Sequence, residues 1–357
     1  MNTVCIPSLP KMSGRKLTGS RNIGSGKRRT KELYMKVAIM VNRTNLERYT
    51  APGAIPADWE LIHLGNGAID EEKIIATDAD AILVDPMCTV SAKVINGMKH
   101  LKLIQSQGVG YNYIDIDEAR RAGVFVANCA GANASAVAEQ AVLLMLALLR
   151  SFRENEDMVF ASRQIEAKTR CFENGLMELG DCHIGIIGMG AIGCATARLL
   201  KAFGSTVSYF SRHEVPDCGF SLLSLDELYA QCDIISLHVP VNSETIGMIN
   251  NTAINKMKRG AIIINTARGE IVDQEAVCRA LIDGRLGGYG TDTYTPEPVT
   301  PDNPLLALPP AARRKVALSP HIGGITAGSF YRYFDIIWTN MKRVSEGQRP
   351  VNIVNEM

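Results

Sequence analysis

Residues 183–193 read His-Ile-Gly-Ile-Ile-Gly-Met-Gly-Ala-Ile-Gly. No other stretch of the chain restricts its fold so tightly. An apolar β-rich run leads into glycines at 188, 190 and 193, a helical pattern follows over Ala195–Phe203, and a second β-rich run lies at Thr206–Phe210. In that strand–turn–helix–strand context a Gly-x-Gly-x-x-Gly loop is built to meet a pyrophosphate. Gly188 permits the tight turn, Gly190 lets the backbone approach the phosphates, and Gly193 lets the helix pack closely on the strand. The helix N-terminus adds unpaired N–H groups and the positive end of its dipole. A structural turn without a ligand is the alternative reading; the context favours a bound dinucleotide.

The 357 residues suffice for two domains, and short apolar runs alternate with helical patterns along them. A first series of strands is expected at Lys36–Val41, Trp59–Leu64, Ala81–Asp85, Lys102–Gln105 and Val124–Ala127. A second, of six, is expected at His183–Ile187, Thr206–Phe210, Asp233–Leu237, Ala261–Asn265, Gly288–Thr291 and Val316–Ser319. This alternation signals parallel α/β architecture. Between the series runs an apolar helix, Ala134–Leu148, with Asn133 as its expected N-cap. Being apolar nearly all round, it suits a domain core or a subunit junction. A last helix, Ser329–Glu346, repeats its apolar positions at three and four and is inferred to return to the first domain. The reading is an α/β protein of two Rossmann-like domains. A doubly wound dinucleotide-binding domain (133–324) is inserted into a discontinuous, flavodoxin-like substrate-binding domain (35–132 plus 325–357).

Composition narrows the function classes. With 38 basic and 37 acidic side chains the net charge is +1, which argues against a nucleic-acid partner held by a basic face. The longest wholly apolar run, Ala141–Leu149, is well short of the roughly 20 residues of a membrane span, so no membrane partner is expected. Nine scattered cysteines without Cys-x-x-Cys spacing, and six histidines without His-x-x-x-His, suggest reduced thiols, no metal and a cytoplasmic protein. Residues 1–34 carry eight Lys or Arg and one acid, Glu32. They read as a disordered basic extension or as sequence upstream of a start at Met35, with a transit peptide as a further alternative.

After Phe210 an acid would ordinarily hold the adenosine ribose, yet the chain reads Ser211-Arg212-His213 with no acid before Glu214. Ser211 and Arg212 suit a 2′-phosphate, so NADP(H) is the expected cofactor, with NAD(H) open if Arg212 merely stacks on adenine. Three charged residues then follow successive strands: Arg268 in Asn-Thr-Ala-Arg-Gly-Glu, Glu297 in Tyr-Thr-Pro-Glu-Pro, and His321 in Ser-Pro-His-Ile-Gly-Gly. Taken singly they could be a salt bridge, a loop acid and a core histidine. Together, at strand ends where open α/β sheets place their chemistry, they form a candidate catalytic set.

With Gly108-Val-Gly110-Tyr-Asn-Tyr-Ile-Asp115, Asn128, Gly131, Ala136-Val-Ala-Glu139 and His238-Val-Pro240, the sequence from Lys36 to Val354 strongly resembles the D-isomer-specific 2-hydroxyacid dehydrogenases. The resemblance includes relatives that reduce glyoxylate or hydroxypyruvate and relatives that oxidise phosphoglycerate. It implies hydride transfer between a nicotinamide and C2 of a 2-oxo acid. His321 would be the acid–base group, Glu297 would fix its tautomer and favour its protonated form, and Arg268 would hold the carboxylate and polarise the carbonyl. Val109 and Gly110 would share the carboxylate through their N–H groups. The dinucleotide would meet Gly188, Gly190, Ala191, Ile192, Gly193, Ser211, Arg212, His238, Val239, Pro240, Thr245, Thr266, Ala267, Arg268, Asp292, His321 and Gly323, with Asp292 on the carboxamide. Asn112 and Gln140 depart from the family's usual Asp and His. A homodimer through the cofactor domains is implied, with hinges near Asn133 and Gly323–Gly328.

For the substrate, the strand end Val84-Asp85-Pro86-Met87-Cys88-Thr89 offers an acid and no Arg. A carboxylate there repels phosphate, so a small neutral-tailed acid such as glyoxylate or hydroxypyruvate is expected. Phosphoglycerate dehydrogenase using NAD is the alternative, and a dinucleotide-sensing corepressor-like scaffold a second one.

Overall fold

The computed structural model describes residues 34–357; apart from Tyr34, the basic extension read over 1–34 lies outside the described residues. Two all-parallel sheets form the frame. The first contains β1 (Lys36–Met40), β2 (Glu60–His63), β3 (Ala81–Val84), β4 (Leu103–Ser106) and β5 (Phe125–Ala127), in the order β2-β1-β3-β4-β5. Its central strands read as unbroken apolar runs because both faces are covered. All four residues of β3 are buried, in register with β1 through Val37↔Ala81 to Met40↔Val84.

One face of this sheet carries Met35, Val37, Ile39 and Leu83 against Phe334, Ile337, Trp338 and Met341 of the helix Ala327–Ser345. That helix starts two residues before the expected Ser329, because the Thr326 side chain caps it by accepting from Ser329 N. The other face buries Ala38, Met40, Ile82 and Ile104 beneath Ile74, Val94 and Ile95.

The second sheet comprises β6 (His183–Ile187), β7 (Thr206–Phe210), β8 (Ser221–Leu222), β9 (Ile234–Leu237), β10 (Ala261–Asn265), β11 (Leu286–Thr291) and β12 (Val316–Leu318). Its order is β12-β11-β10-β9-β6-β7-β8. The count corrects the six strands expected: β8 adds a seventh, only two exposed residues long, with no apolar run to announce it. The order reverses between β6 and β9, and at such a switch point a doubly wound sheet opens its ligand crevice.

The helix Ala134–Leu149 buries Ala138, Ala141, Val142, Leu144 and Met145, while Leu143 stays 57% exposed. Asn133 does not cap this helix with its side chain, contrary to expectation. Its backbone leaves the extended region (φ −101°, ψ 5°) and its amide turns instead toward Gly324 and the Tyr333 hydroxyl. Two further helices that the sequence reading passed over, Phe152–Phe160 and Gln164–Asn174, follow it.

Candidate active site

The glycine loop has the geometry of a cradle. At Gly188 φ is +99°, and a Cβ there would stand 2.5 Å from the His238 carbonyl oxygen. A Cβ on Gly193 would stand 2.1 Å from Gly188 O, so the helix Ala191–Ala202 meets β6 backbone to backbone. Around Gly190 the space is open: no atom lies within 4 Å of where its Cβ would be. Gly190 is also the N-cap, and no side chain caps the helix. The first-turn N–H groups, with Ala191 and Ile192 among their bearers, therefore lie beside open space at Gly190. That arrangement fits a dinucleotide pyrophosphate.

The neighbouring strand ends complete the crevice. Gly188 N donates to Phe210 O at 2.9 Å, which sets Ser211, Arg212 and His213 beside the loop. Arg212 is exposed and makes no ion pair or hydrogen bond among the described residues. After β9, His238 Nε2 lies 2.9 Å from Ser236 Oγ, and its buried Nδ1 has no partner among the described residues. Burial pushes this imidazole down to about 4. Val239 and Pro240 follow it, and the Thr245 hydroxyl donates to Pro240 O at 2.6 Å, tying that loop down.

The three charged residues converge. His321 Nδ1 is 2.8 Å from Glu297 Oε2, and Glu297 Oε1 accepts from Tyr294 N at 2.9 Å. Burial alone would raise the Glu297 carboxyl. The hydrogen bonds from His321 and Tyr294, with the charges of His321 and Arg268, outweigh it and hold the group below its ordinary value. His321 itself is reached with φ +57°, a left-handed conformation uncommon outside glycine. Behind Arg268, Asn265 pins the turn: its Oδ1 accepts from Ala267 N at 3.0 Å and its Nδ2 donates to Arg268 O at 2.8 Å.

Across the cleft, Arg268 Nη2 reaches to 3.4 Å from the Cβ position of Gly110. The carbonyls of Val109 and Gly110 are engaged by Asn128 Nδ2 (2.8 Å) and Ser106 Oγ (2.7 Å). Their N–H groups donate to nothing among the described residues. A guanidinium facing two free amides makes a carboxylate site. Pro86, after β3, packs under the same loop, 2.9 Å from the Cβ position of Gly108.

Asp292 is 2% exposed and spends its carboxylate on the loop that bears His321. It accepts from Ser319 Oγ, from Ile322 N at 3.0 Å and from Gly323 N at 2.7 Å. The Thr266 hydroxyl, buried beside Ala267, has no partner among the described residues, as a polar group facing a ligand would. Sequence reading missed the support of this loop. Ser319 and Gln140 are joined at 2.9 Å across 179 residues, and no local pattern announces that contact.

The family described as "D-isomer specific 2-hydroxyacid dehydrogenase, NAD binding domain" matches residues 142–323. A glyoxylate reductase of Korarchaeum cryptofilum is 33% identical over 337 residues, 90% of this chain and 97% of that protein. A D-3-phosphoglycerate dehydrogenase of Mycobacterium bovis is 36% identical over 264 residues, 72% of this chain but 48% of that protein. Among solved structures, a D-lactate dehydrogenase from Aquifex aeolicus, complexed with NAD and lactic acid, superposes with a TM-score of 0.76. It is 28% identical, with 90% of this chain and 99% of that one covered.

Proposed function

The chain belongs to the D-isomer specific 2-hydroxyacid dehydrogenase family, and from that premise we propose that it reduces glyoxylate or hydroxypyruvate, with NADPH preferred over NADH. The reaction class is that of an oxidoreductase acting on CH–OH donors, with a nicotinamide dinucleotide and a small 2-oxo or 2-hydroxy acid. Residues 133–324 serve the dinucleotide and carry Arg268, Glu297 and His321 to the acid, whose other side is served by residues 35–132 with 325–357.

One observation carries the mechanism: Glu297 engages Nδ1 of His321, so Nε2 is the ring nitrogen left to work. The dinucleotide, when bound, supplies the hydride for C2. Arg268 and the free N–H groups of Val109 and Gly110 hold the carboxylate, and the guanidinium polarises the carbonyl oxygen. His321, as imidazolium, gives its Nε2 proton to that oxygen as it becomes an alkoxide. Glu297, ionised, stabilises the imidazolium and keeps the ring oriented. In the oxidative direction neutral His321 takes the hydroxyl proton back.

The substrate reading rests on Asp85. Its Oδ1 accepts from Met87 N at 3.0 Å, and its neighbour Pro86 packs on the carboxylate loop. A negative charge there opposes a phosphorylated tail and favours a short neutral one. The cofactor reading rests on the unpaired Arg212, with Ser211 beside it and no nearby acid before Glu214. A homodimer is supported by the helices Phe152–Phe160 and Gln164–Asn174, where Phe160, Ile165 and Phe172 are 84%, 75% and 91% exposed.

Initial rates of NADPH and NADH oxidation against glyoxylate, hydroxypyruvate, pyruvate, 2-oxobutyrate and phosphohydroxypyruvate test these readings together. Fast NADPH-dependent turnover of glyoxylate or hydroxypyruvate is expected. Activity confined to NADH and phosphohydroxypyruvate would refute both the Asp85 and the Arg212 arguments.

A further inference from the structure

Two residues before the imidazole, Ser319 is held from three sides. Its carbonyl accepts from the Tyr294 hydroxyl at 2.8 Å, its hydroxyl accepts from Gln140 Nε2 at 2.9 Å, and it donates to Asp292 Oδ1. A hydroxyl has one proton to give. The amide N–H of Gln140 occupies its acceptor side, so the proton is directed to Asp292.

Asp292 then accepts the two N–H groups that follow the imidazole, those of Ile322 and Gly323. Gln140 touches the far side of the same loop. Its Cβ and Cγ lie 3.4 Å from the Cβ position of Gly323, where Asp292 Oδ2 is 2.9 Å away. One glutamine on the helix Ala134–Leu149 thus braces the chain on both sides of His321. Between the two braces His321 sits at φ +57°, a backbone state that persists only where surrounding contacts over-determine it.

We propose that Gln140 is a positioning residue for the reaction: through Ser319 and Asp292 it holds residues 319–323 so that His321 keeps its left-handed backbone and its imidazole stays aimed into the cleft. Among the described residues Gln140 makes no hydrogen bond to the imidazole, Arg268, Val109 or Gly110, so its influence falls on proton transfer rather than on carboxylate binding. The inference rests on His321 being the acid–base group and is independent of which 2-oxo acid is used.

The test is steady-state kinetics of Gln140→Met, Gln140→His and Ser319→Ala, using whichever 2-oxo acid the wild-type chain reduces fastest. Gln140→Met keeps the length but not the donor, and kcat is expected to fall about five- to tenfold with substrate KM within about twofold. Gln140→His places a ring Nε2–H near the same point and is expected to restore kcat to within about twofold above the pH where that ring is neutral. Ser319→Ala removes a single hydroxyl and is expected to match the loss in Gln140→Met. The double variant Gln140→Met with Ser319→Ala should lose no more than either single one, as for members of one relay. An unchanged kcat in Gln140→Met, a loss carried by KM, failure of the histidine to rescue, or additive losses in the double variant would each overturn the proposal. If Gln140→Met does not fold, Ser319→Ala decides by the same kcat and KM criteria.

Discussion

His321 Nδ1 and Glu297 Oε2 stand 2.8 Å apart, and the other Glu297 oxygen is held by Tyr294 N–H. The contact joins two loops that follow different strands, β11 and β12, and it determines which ring nitrogen faces the cleft. Replacing His321 with Ala should lower kcat by about 10²–10⁴. Glu297→Gln keeps the shape but removes the charge that favours the imidazolium, so a loss of about 10²-fold is expected with substrate KM little changed. Wild-type rates in either variant would remove the proposed acid–base pair.

The glycine loop separates folding from binding. Gly190→Ala points a methyl into open space and should leave the fold's stability within about 1 kcal/mol. The same methyl occupies that space, so dinucleotide affinity should fall at least about tenfold. Gly193→Ala instead meets a carbonyl at 2.1 Å and should destabilise the folded chain itself. Fluorescence titration with NADPH, beside urea unfolding, reads both; equal behaviour of the two variants would contradict the cradle.

Cofactor choice is testable at one side chain. Arg212→Ser should raise the KM for NADPH about tenfold and leave that for NADH within about twofold. A parallel rise for both dinucleotides would mean that the guanidinium stacks on adenine and does not read the 2′-phosphate.

Acid stability should carry the mark of His238. In the unfolded chain its imidazole takes up a proton near the ordinary 6.5, whereas burial holds the folded value at about 4. Between those values the unfolded state binds more protons. The stability this group contributes is therefore complete above pH 6.5 and is lost as pH falls through 4. The full loss is on the order of 3 kcal/mol. Urea midpoints of the cofactor-free protein at pH 7 and 4.5 should converge in His238→Gln relative to the wild type.

Assembly can be read by light scattering. Phe160 and Phe172 project from adjacent helices at 84% and 91% exposure, and Phe160→Asp with Phe172→Asp should halve the mass of a dimer. A wild-type chain with monomer mass would refute the dimer outright.

Much of the frame is legible in local pattern. All five strands of the first series, and six of the seven in the second, coincide with apolar runs that end at or within about two residues of the expected bounds. Burial on both faces of a parallel sheet demands such runs. β8 escaped because two exposed residues carry no pattern. The Asn133 side chain departed from its expected cap because a long-range neighbour, the Gly324 turn, lies within its reach.

Eleven of the twelve strands, the phosphate loop and the charged residues at the strand ends are readable along the chain, because each depends on residues near one another in it. The order of the strands and the meeting of Arg268 with Gly110 arise from long-range packing. So do the left-handed backbone of His321 and the brace that runs from Gln140 through Ser319 to Asp292. These contacts join residues from about 25 to 180 positions apart. They exist only once two sheets have packed around a shared crevice, and no periodicity in the chain encodes such a distance.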